Sequence, residues 1–337
     1  MTPVTSILVF ILLAILSALG VWIIRQYAER YLLDHPNERS SHSAPTPRGG
    51  GLAIVVVVLA AGCVAAINSN LTHSLIYLVC GAVIACLGWQ DDVQSLSPRV
   101  RFAVQGLVAL ASVLGMGYFK SVTIPLFGQL QLGVVGFIIT ILWIVGLTNA
   151  YNFMDGIDGI AGGVALAAAL GWMFLATRAD HNFVFWIALA VGAGGLGFLL
   201  HNWSPAKIFM GDAGSTFLGY TFAVLPLLSA DESGDALMLG TLLMWTFIMD
   251  AGVTFIRRAL KRENVFAAHR AHLYQRLVIG GYKHAHVSAL YILLTLLAAA
   301  LAYAWSWGQP YAPPLIIIGL PLLWFALSRY TTKIGCG

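Results

Sequence analysis

The sequence predicts an all-α, polytopic integral membrane protein with about eleven transmembrane helices, the N-terminus outside and the C-terminus cytoplasmic. Three observations carry this prediction. The 337 residues are 59% apolar and only 9% charged, whereas soluble domains carry about 25% charged residues. Apolar runs close to the roughly 20 residues of a helical span recur near 4–24, 51–67, 71–89, 102–119, 132–150, 159–176, 183–200, 213–229, 236–256, 286–306 and 310–328. They are continuous rather than alternating, which excludes a closed β-barrel. With these spans, sixteen of the eighteen Lys and Arg residues fall in one alternating set of loops, and only Lys120 and Arg178 fall in the other. The positive-inside rule places the basic set in the cytoplasm.

The first run lacks a basic leader and a small-residue cleavage site before Arg25, so it reads as a retained span. The second run is short, and so is tilted or partly re-entrant. Residues 120–131, 177–182 and 230–235 form short external loops without site chemistry; the last is acidic, with Asp231, Glu232 and Asp235. Cys63, Cys80, Cys86 and Cys336 have no metal-binding spacing, and three of them read as small packing residues. The net charge of +4 is concentrated beside the membrane, so no nucleic-acid partner is implied. Glycine-spaced spans can pack on one another or across a homodimer. The chain reads as one polytopic domain, 1–337, with functional loops at 25–50, 90–101, 151–158, 201–212 and 257–285.

Polar residues cluster in those loops. Asn149, Asn152 and Asp155 are three apart and would share a helix face. Gly156 and Gly159 then permit a turn carrying Asp155 and Asp158. Such oxygens suit a hard cation, and Asx turns and caps would also explain them. The first loop offers Arg39, His42 and Arg48, a phosphate site or a positive-inside anchor. The second opens on Asp91 and Asp92. Paired carboxylates there are costly unless hydrated or paired, and a short turn would return Arg101 over them. Asp212 stands before a small-residue span, as an N-cap or as a cation ligand facing a phosphate. Phe209 can stack on a base or mark the interface. Asp250, inside the ninth run, pairs with Arg257 or Arg258, or lines a cavity. The largest loop carries seven basic residues with His269, His272 and His284, and 268–277 reads partly as an amphipathic helix. Histidines and arginine can clamp a diphosphate; adhesion to anionic lipid explains the basic residues but not the histidines.

Six motifs now stand in order: PNERSSH, TPRGGG, GWQDDVQSLSPRVR, NAYNFMDGIDGIAGG, FMGDAGSTFLG and HRAHLYQRL. Together the chain resembles, over nearly its whole length, the polyprenyl-phosphate N-acetylhexosamine-1-phosphate transferases. The resemblance implies transfer of HexNAc-1-phosphate from UDP-HexNAc to undecaprenyl phosphate, releasing UMP, with Mg²⁺ (or Mn²⁺) as cofactor, in the bacterial inner membrane. It implies catalytic roles for Asp91, Asp92 and Asp155, and metal ligation by Asn152 and Asp212. Substrate contacts fall to Arg39, His42, Arg48, Arg101, Asn149, Asp158, Phe209, His269, Arg270 and His272. Tyr274 and Gln275 stand where many members have further histidines. That departure argues against the phospho-muramoyl-pentapeptide enzyme of peptidoglycan synthesis and toward the branch that starts O-antigen chains. A transporter or lipid flippase is the alternative of another class. It would place polar groups near the midplane and often show internal repeats, whereas here they crowd one face.

Overall fold

The computed structural model describes residues 3–34, 45–230, 234–263 and 269–333. The helices are α1 (Pro3–Tyr31), α2 (Gly51–Ala66), α3 (Leu71–Gln94), α4 (Pro98–Met116), α5 (Val135–Met154), α6 (Ile160–Arg178) and α7 (Asn182–Asn202). They continue as α8 (Asp212–Leu228), α9 (Ala236–Leu243), α10 (Trp245–Leu260), α11 (Leu273–Ile279) and α12 (His284–Ser306). The last stretch is α13 (Ala312–Pro314), a π-helical turn (Leu315–Gly319) and α14 (Leu320–Lys333). Two small antiparallel pairings complete the chain: β1 (Leu33–Asp34) with β2 (Thr46–Pro47), and β3 (Ser121–Ile124) with β4 (Gly128–Gln131).

Every expected apolar run is helical, but not all are full spans. Among the described residues, eight helices are long and apolar enough to cross a membrane, and up to nine if a bent pair counts as one. The ninth run is that pair, α9 and α10, which meet at 81°. In place of the straight helix that the run predicts, the break at Met244 lets Asp250 reach donors on α11. Helices α2 and α8 have 16 and 17 residues. The short loop read at 120–131 carries a β-hairpin whose Thr123 N–H donates to the carbonyl of Gly234 at 3.0 Å.

The most deeply packed helices are α6, α7 and α8. Helix α7 is sheathed by α1, α2 and α6, and α8 by α2, α3 and α5. Small residues permit the close approach that membrane helices rely on. A Cβ on Gly88 of α3 would lie 2.5 Å from the carbonyl oxygen of Asp212. One on Gly51, the first residue of α2, would lie 2.5 Å from Cα of Gly214 in α8. These contacts bring the starts of α2 and α8 and the end of α3 to one point. The motif-bearing loops meet at this end of the bundle, and the 120–131 hairpin meets Gly234 elsewhere.

Candidate active site

Helix α3 runs past its apolar part to Gln94, so Asp91 and Asp92 sit in its last turn and are both buried. The helix stops at Ser95, in the left-handed region at φ 49. Ser97 then accepts from the Val100 N–H to cap α4, with Pro98 at its first position. This short turn returns Arg101, as anticipated: its Nη1 lies 2.7 Å from Asp91 Oδ2. The other Asp91 oxygen accepts the Leu96 N–H at 2.6 Å.

Asp92 faces the other way. Its two oxygens accept the Asp212 and Ala213 N–H groups at 3.0 and 3.1 Å. A carboxylate thus satisfies the free donors at the start of α8, and Asp212 itself is not the cap. Gly211, at φ +79, supplies the backbone turn; a Cβ there would lie 2.8 Å from Asp92 Oδ2. Arg48 donates from Nη2 to the Asp92 carbonyl, and its Nε stands 3.8 Å from Oδ1. Arg48 is itself placed by a parallel bridge to Phe209: Phe209 N–H donates to Pro47 and Gly50 N–H to Phe209. Phe209 is half-buried in this bridge. Arg39 and His42 lie outside the described residues.

Helix α5 carries Asn149 and Asn152. Asn149 Nδ2 donates to Gln105 Oε1 of α4 at 2.6 Å. Asn152 Nδ2 donates to Asp212 Oδ1 at 2.7 Å and Ser215 Oγ at 2.9 Å. Asp155 is the residue after the helix, so it leaves the face that Asn149 and Asn152 share. Among the described residues its carboxylate has no hydrogen-bond partner. Burial, and then the charges of Asp212 and Asp92, push its pKa well above the usual carboxylate range. The described residues contain no cluster of three His, Cys, Asp or Glu able to hold a metal ion. The donors on hand are two carboxylates, Asp155 and Asp212, and the Asn152 amide oxygen. Such a set fits Mg²⁺, which commonly takes one or two carboxylates and completes its shell with water and phosphate.

Asp158, by contrast, is fully engaged. It accepts the Ala206 N–H at 3.2 Å and lies 3.3 Å from His284 Nδ1. Burial opposes its ionisation, but His284 and the hydrogen bonds outweigh burial and hold its pKa below the usual value. Asn202 ties the same turn to the next loop, accepting from Gly159 N–H and donating to the Ile208 carbonyl, each at 2.9 Å. Gln105 and Asn202 are not among the candidates that the sequence offers, and His284, noted there with the histidines of the largest loop, turns out to serve Asp158. A lone polar residue in or beside an apolar run is the only signal the first two carry.

The stretch 268–277, read as partly helical, is helical in its second half: α11 starts after His272 and runs on to Ile279, while Ala268 lies outside the described residues. Asp250 of α10 accepts the Leu273 and Tyr274 N–H groups at 2.7 and 3.2 Å. Of the two readings of Asp250, pairing with Arg257 or Arg258 is not seen among the described residues: Arg257 donates to the Ala271 carbonyl and Arg258 to Glu263. Arg257 thus braces the loop, and Arg258 reaches Glu263 through Nε while also lining the groove between α5 and α10. The Tyr274 hydroxyl donates to the Phe153 carbonyl at 3.1 Å. That contact docks α11 on the turn carrying Asp155. Arg270 is exposed. His269 is half-buried, and burial, His272 and Arg258 lower its pKa to about 4. His269 and His272, with Asn149 and Arg258, line one end of a groove of about 500 Å³ whose walls are apolar residues of α5 and α10.

The pattern of glycosyl transferase family 4 matches residues 74–230, from α3 to α8. The chain is 35% identical over 291 residues to the probable undecaprenyl-phosphate N-acetylglucosaminyl 1-phosphate transferase of Bacillus subtilis, covering 83% of this chain and 80% of that protein. The chain belongs to the polyprenyl-phosphate N-acetylhexosamine-1-phosphate transferase family. It is 29% identical to the undecaprenyl-phosphate alpha-N-acetylglucosaminyl 1-phosphate transferase of Yersinia pestis, over 90% of this chain and 84% of that one. It is 32% identical to the decaprenyl-phosphate N-acetylglucosaminephosphotransferase of Mycobacterium leprae, over 77% and 73%. Membership of this transferase family removes the transporter alternative. The family match contains the acid pair, the α5–α6 turn and the start of α8, but not the histidine loop.

Proposed function

We propose that this multi-pass membrane transferase moves HexNAc-1-phosphate from UDP-HexNAc to undecaprenyl phosphate, releasing UMP and starting an O-antigen or related envelope polysaccharide. The observation that carries the reading is the joining of an apolar groove to a polar head beside the acid cluster. Leu142, Trp143, Phe153, Ile248 and Phe255 wall a channel suited to an isoprenoid chain. His269, His272 and Arg258 at its head suit a phosphate. The site faces the cytoplasm of a bacterial inner membrane, because the basic loops converge here and the positive-inside rule orients them.

The lipid phosphate is a monoester with a second pKa near 6, so it is largely dianionic at neutral pH and needs little base. Its obstacle is repulsion from the UDP diphosphate. Asn152, Asp155 and Asp212 would hold Mg²⁺, which supplies charge neutralisation where the phosphates meet. Asp91 and Asp92 have their oxygens committed to Arg101 and to backbone N–H groups, so they orient the machinery around the reacting atoms. Direct attack on the β-phosphorus follows. Exchange of labelled UMP into UDP-sugar without lipid phosphate would instead reveal a covalent aspartyl phosphate.

The deciding measurement is radiolabelled transfer in detergent from a panel of UDP-HexNAc donors to undecaprenyl phosphate, with and without Mg²⁺. Metal-dependent UMP release with one donor is expected. The names of the relatives favour N-acetylglucosamine; the His269-Arg270-x-His272-x-Tyr274-Gln275 pattern resembles the branch that starts O-antigen chains, some members of which use N-acetylfucosamine or N-acetylquinovosamine, so the panel includes all three. Absence of transfer from folded protein would overturn the reading.

The groove makes a separate prediction. Gly146 lines it, and a Cβ there would meet nothing within 4 Å. Gly146→Leu therefore has open space at its Cβ, extends its side chain into the lipid space of the groove and improves helix propensity. The expected result is a KM for undecaprenyl phosphate raised about 10-fold, from some 1.4 kcal/mol of lost apolar contact. The KM for the UDP-sugar stays unchanged, and equal changes in both would disprove the assignment.

A further inference from the structure

Asp250 is 1% exposed, and a carboxylate in an apolar helix persists only when its partners offset its desolvation. Two backbone donors, those of Leu273 and Tyr274, would suffice for a helix cap. The site has more. The Tyr291 hydroxyl of α12 donates to Oδ2 at 2.6 Å. His272 Nδ1 lies 3.4 Å from Oδ1. That nitrogen is buried and makes no hydrogen bond in the described structure; Asp250 is the carboxylate against it, and the Gln275 N–H faces the same side chain from the first turn of α11. The imidazole is further clamped, stacked at 15° on Tyr274 and beside His269 with ring centroids 4.9 Å apart. His272 also lines the groove head.

We infer that Asp250 is a positioning residue that, with Tyr291, fixes the ring of His272 at the head of the groove. The carboxylate against Nδ1 and the stacked Tyr274 ring hold the imidazole in one place, as partners outside the reacting shell do for functional histidines. The same carboxylate sets the start of α11, so ring and helix are placed by one group. This inference rests on the transferase reading above, and it assigns Asp250 no contact with substrate.

The test is a double-mutant cycle. Transfer is measured for the wild type, Asp250→Asn, His272→Ala and the pair, with thermal unfolding recorded for each. Wild-type activity comes first, because its absence would overturn the functional reading and not this one. Asp250→Asn is expected to lower kcat about 10–100-fold, the usual range for a residue that orients a functional histidine, with the KM for the UDP-sugar unchanged. In the His272→Ala background the same change is expected to cost less than about 2-fold, because its effect passes through His272. A merely structural cap would add its full loss there too, and that outcome, or wild-type activity in Asp250→Asn, would overturn the inference. Should Asp250→Asn not fold, Tyr291→Phe removes one bond to Oδ2 and leaves the cap. It then takes the place of Asp250→Asn in the cycle, with a smaller loss expected in the wild type and none in the His272→Ala background. An equal loss in both backgrounds, or no loss in either, would overturn the inference.

Discussion

Asp155→Asn is expected to lower transfer by about 10³-fold, the scale for a group that stabilises charge in a phosphoryl transition state, yet to leave the protein at least as heat-stable as the wild type. The two effects would have opposite signs because, on the proposed function, this carboxylate serves the reaction and not the fold. Asp158 is held by Ala206 and His284, and Asp92 by the start of α8. Asp155 has no such partner among the described residues, and it suffers repulsion from Asp212 and Asp92. Removing its charge removes that repulsion. The pH dependence follows the same logic. Its native pKa is raised, so the native protein retains a proton that the unfolded chain releases near pH 4. Stability of the metal-free protein therefore falls as pH rises from about 4 toward neutrality. The Asp155→Asn variant should lack this part of the slope, and Mg²⁺ should raise the melting temperature of the wild type more than that of the variant. A variant with wild-type kcat would remove Asp155 from the chemistry.

Asp92→Ala has a comparable effect on activity and the reverse effect on stability. Truncation leaves the Asp212 and Ala213 N–H groups without their acceptor and Arg48 without the carboxylate near its guanidinium, all within a region where Asp92 is 2% exposed. Removing one member of a buried charged network costs about 3–5 kcal/mol. Thermal unfolding in detergent should show the drop directly. Transfer should fall about 10³-fold, because Asp212 and, through it, Asn152 lose their register. Saturating Mg²⁺ should not restore it. If Asp92→Ala were inactive but as stable as the wild type, Asp92 would act on substrate and not as the keystone of α8.

Particular residues show how much was legible in advance. The two aspartates at 91 and 92, the Asn and Asp residues of the α5–α6 turn and Asp212 were all recognisable. Ionisable groups at the ends of apolar runs are too costly to be incidental. Return of Arg101 onto the acid pair was also legible, since Ser97 and Pro98 mark a short turn into a new helix. What could not be read was which acid is occupied and by what. Asp92 and Asp212 are separated by 120 positions, and only the close approach of α3 and α8 at Gly88 gives one carboxylate the other's N–H. Likewise, Asp250 had two arginines within reach along its own helix, yet it bonds to α11 because the chain bends 81° after α9.

The sequence by itself determined that this chain is a helical membrane protein, which loops share a face, and which residue types the chemistry draws on. Those properties depend on composition, on run length against bilayer thickness and on the cost of charge in lipid, and each is local to the chain. Tertiary structure alone decided that Asp91, Asp92 and Asp158 are tied down while Asp155 is left available. It also decided that α5 and α10 part to form a groove and that His272 is set against Asp250. Each of these depends on donors and acceptors brought together from distant positions, where an ångström decides whether a carboxylate is a cap or a ligand.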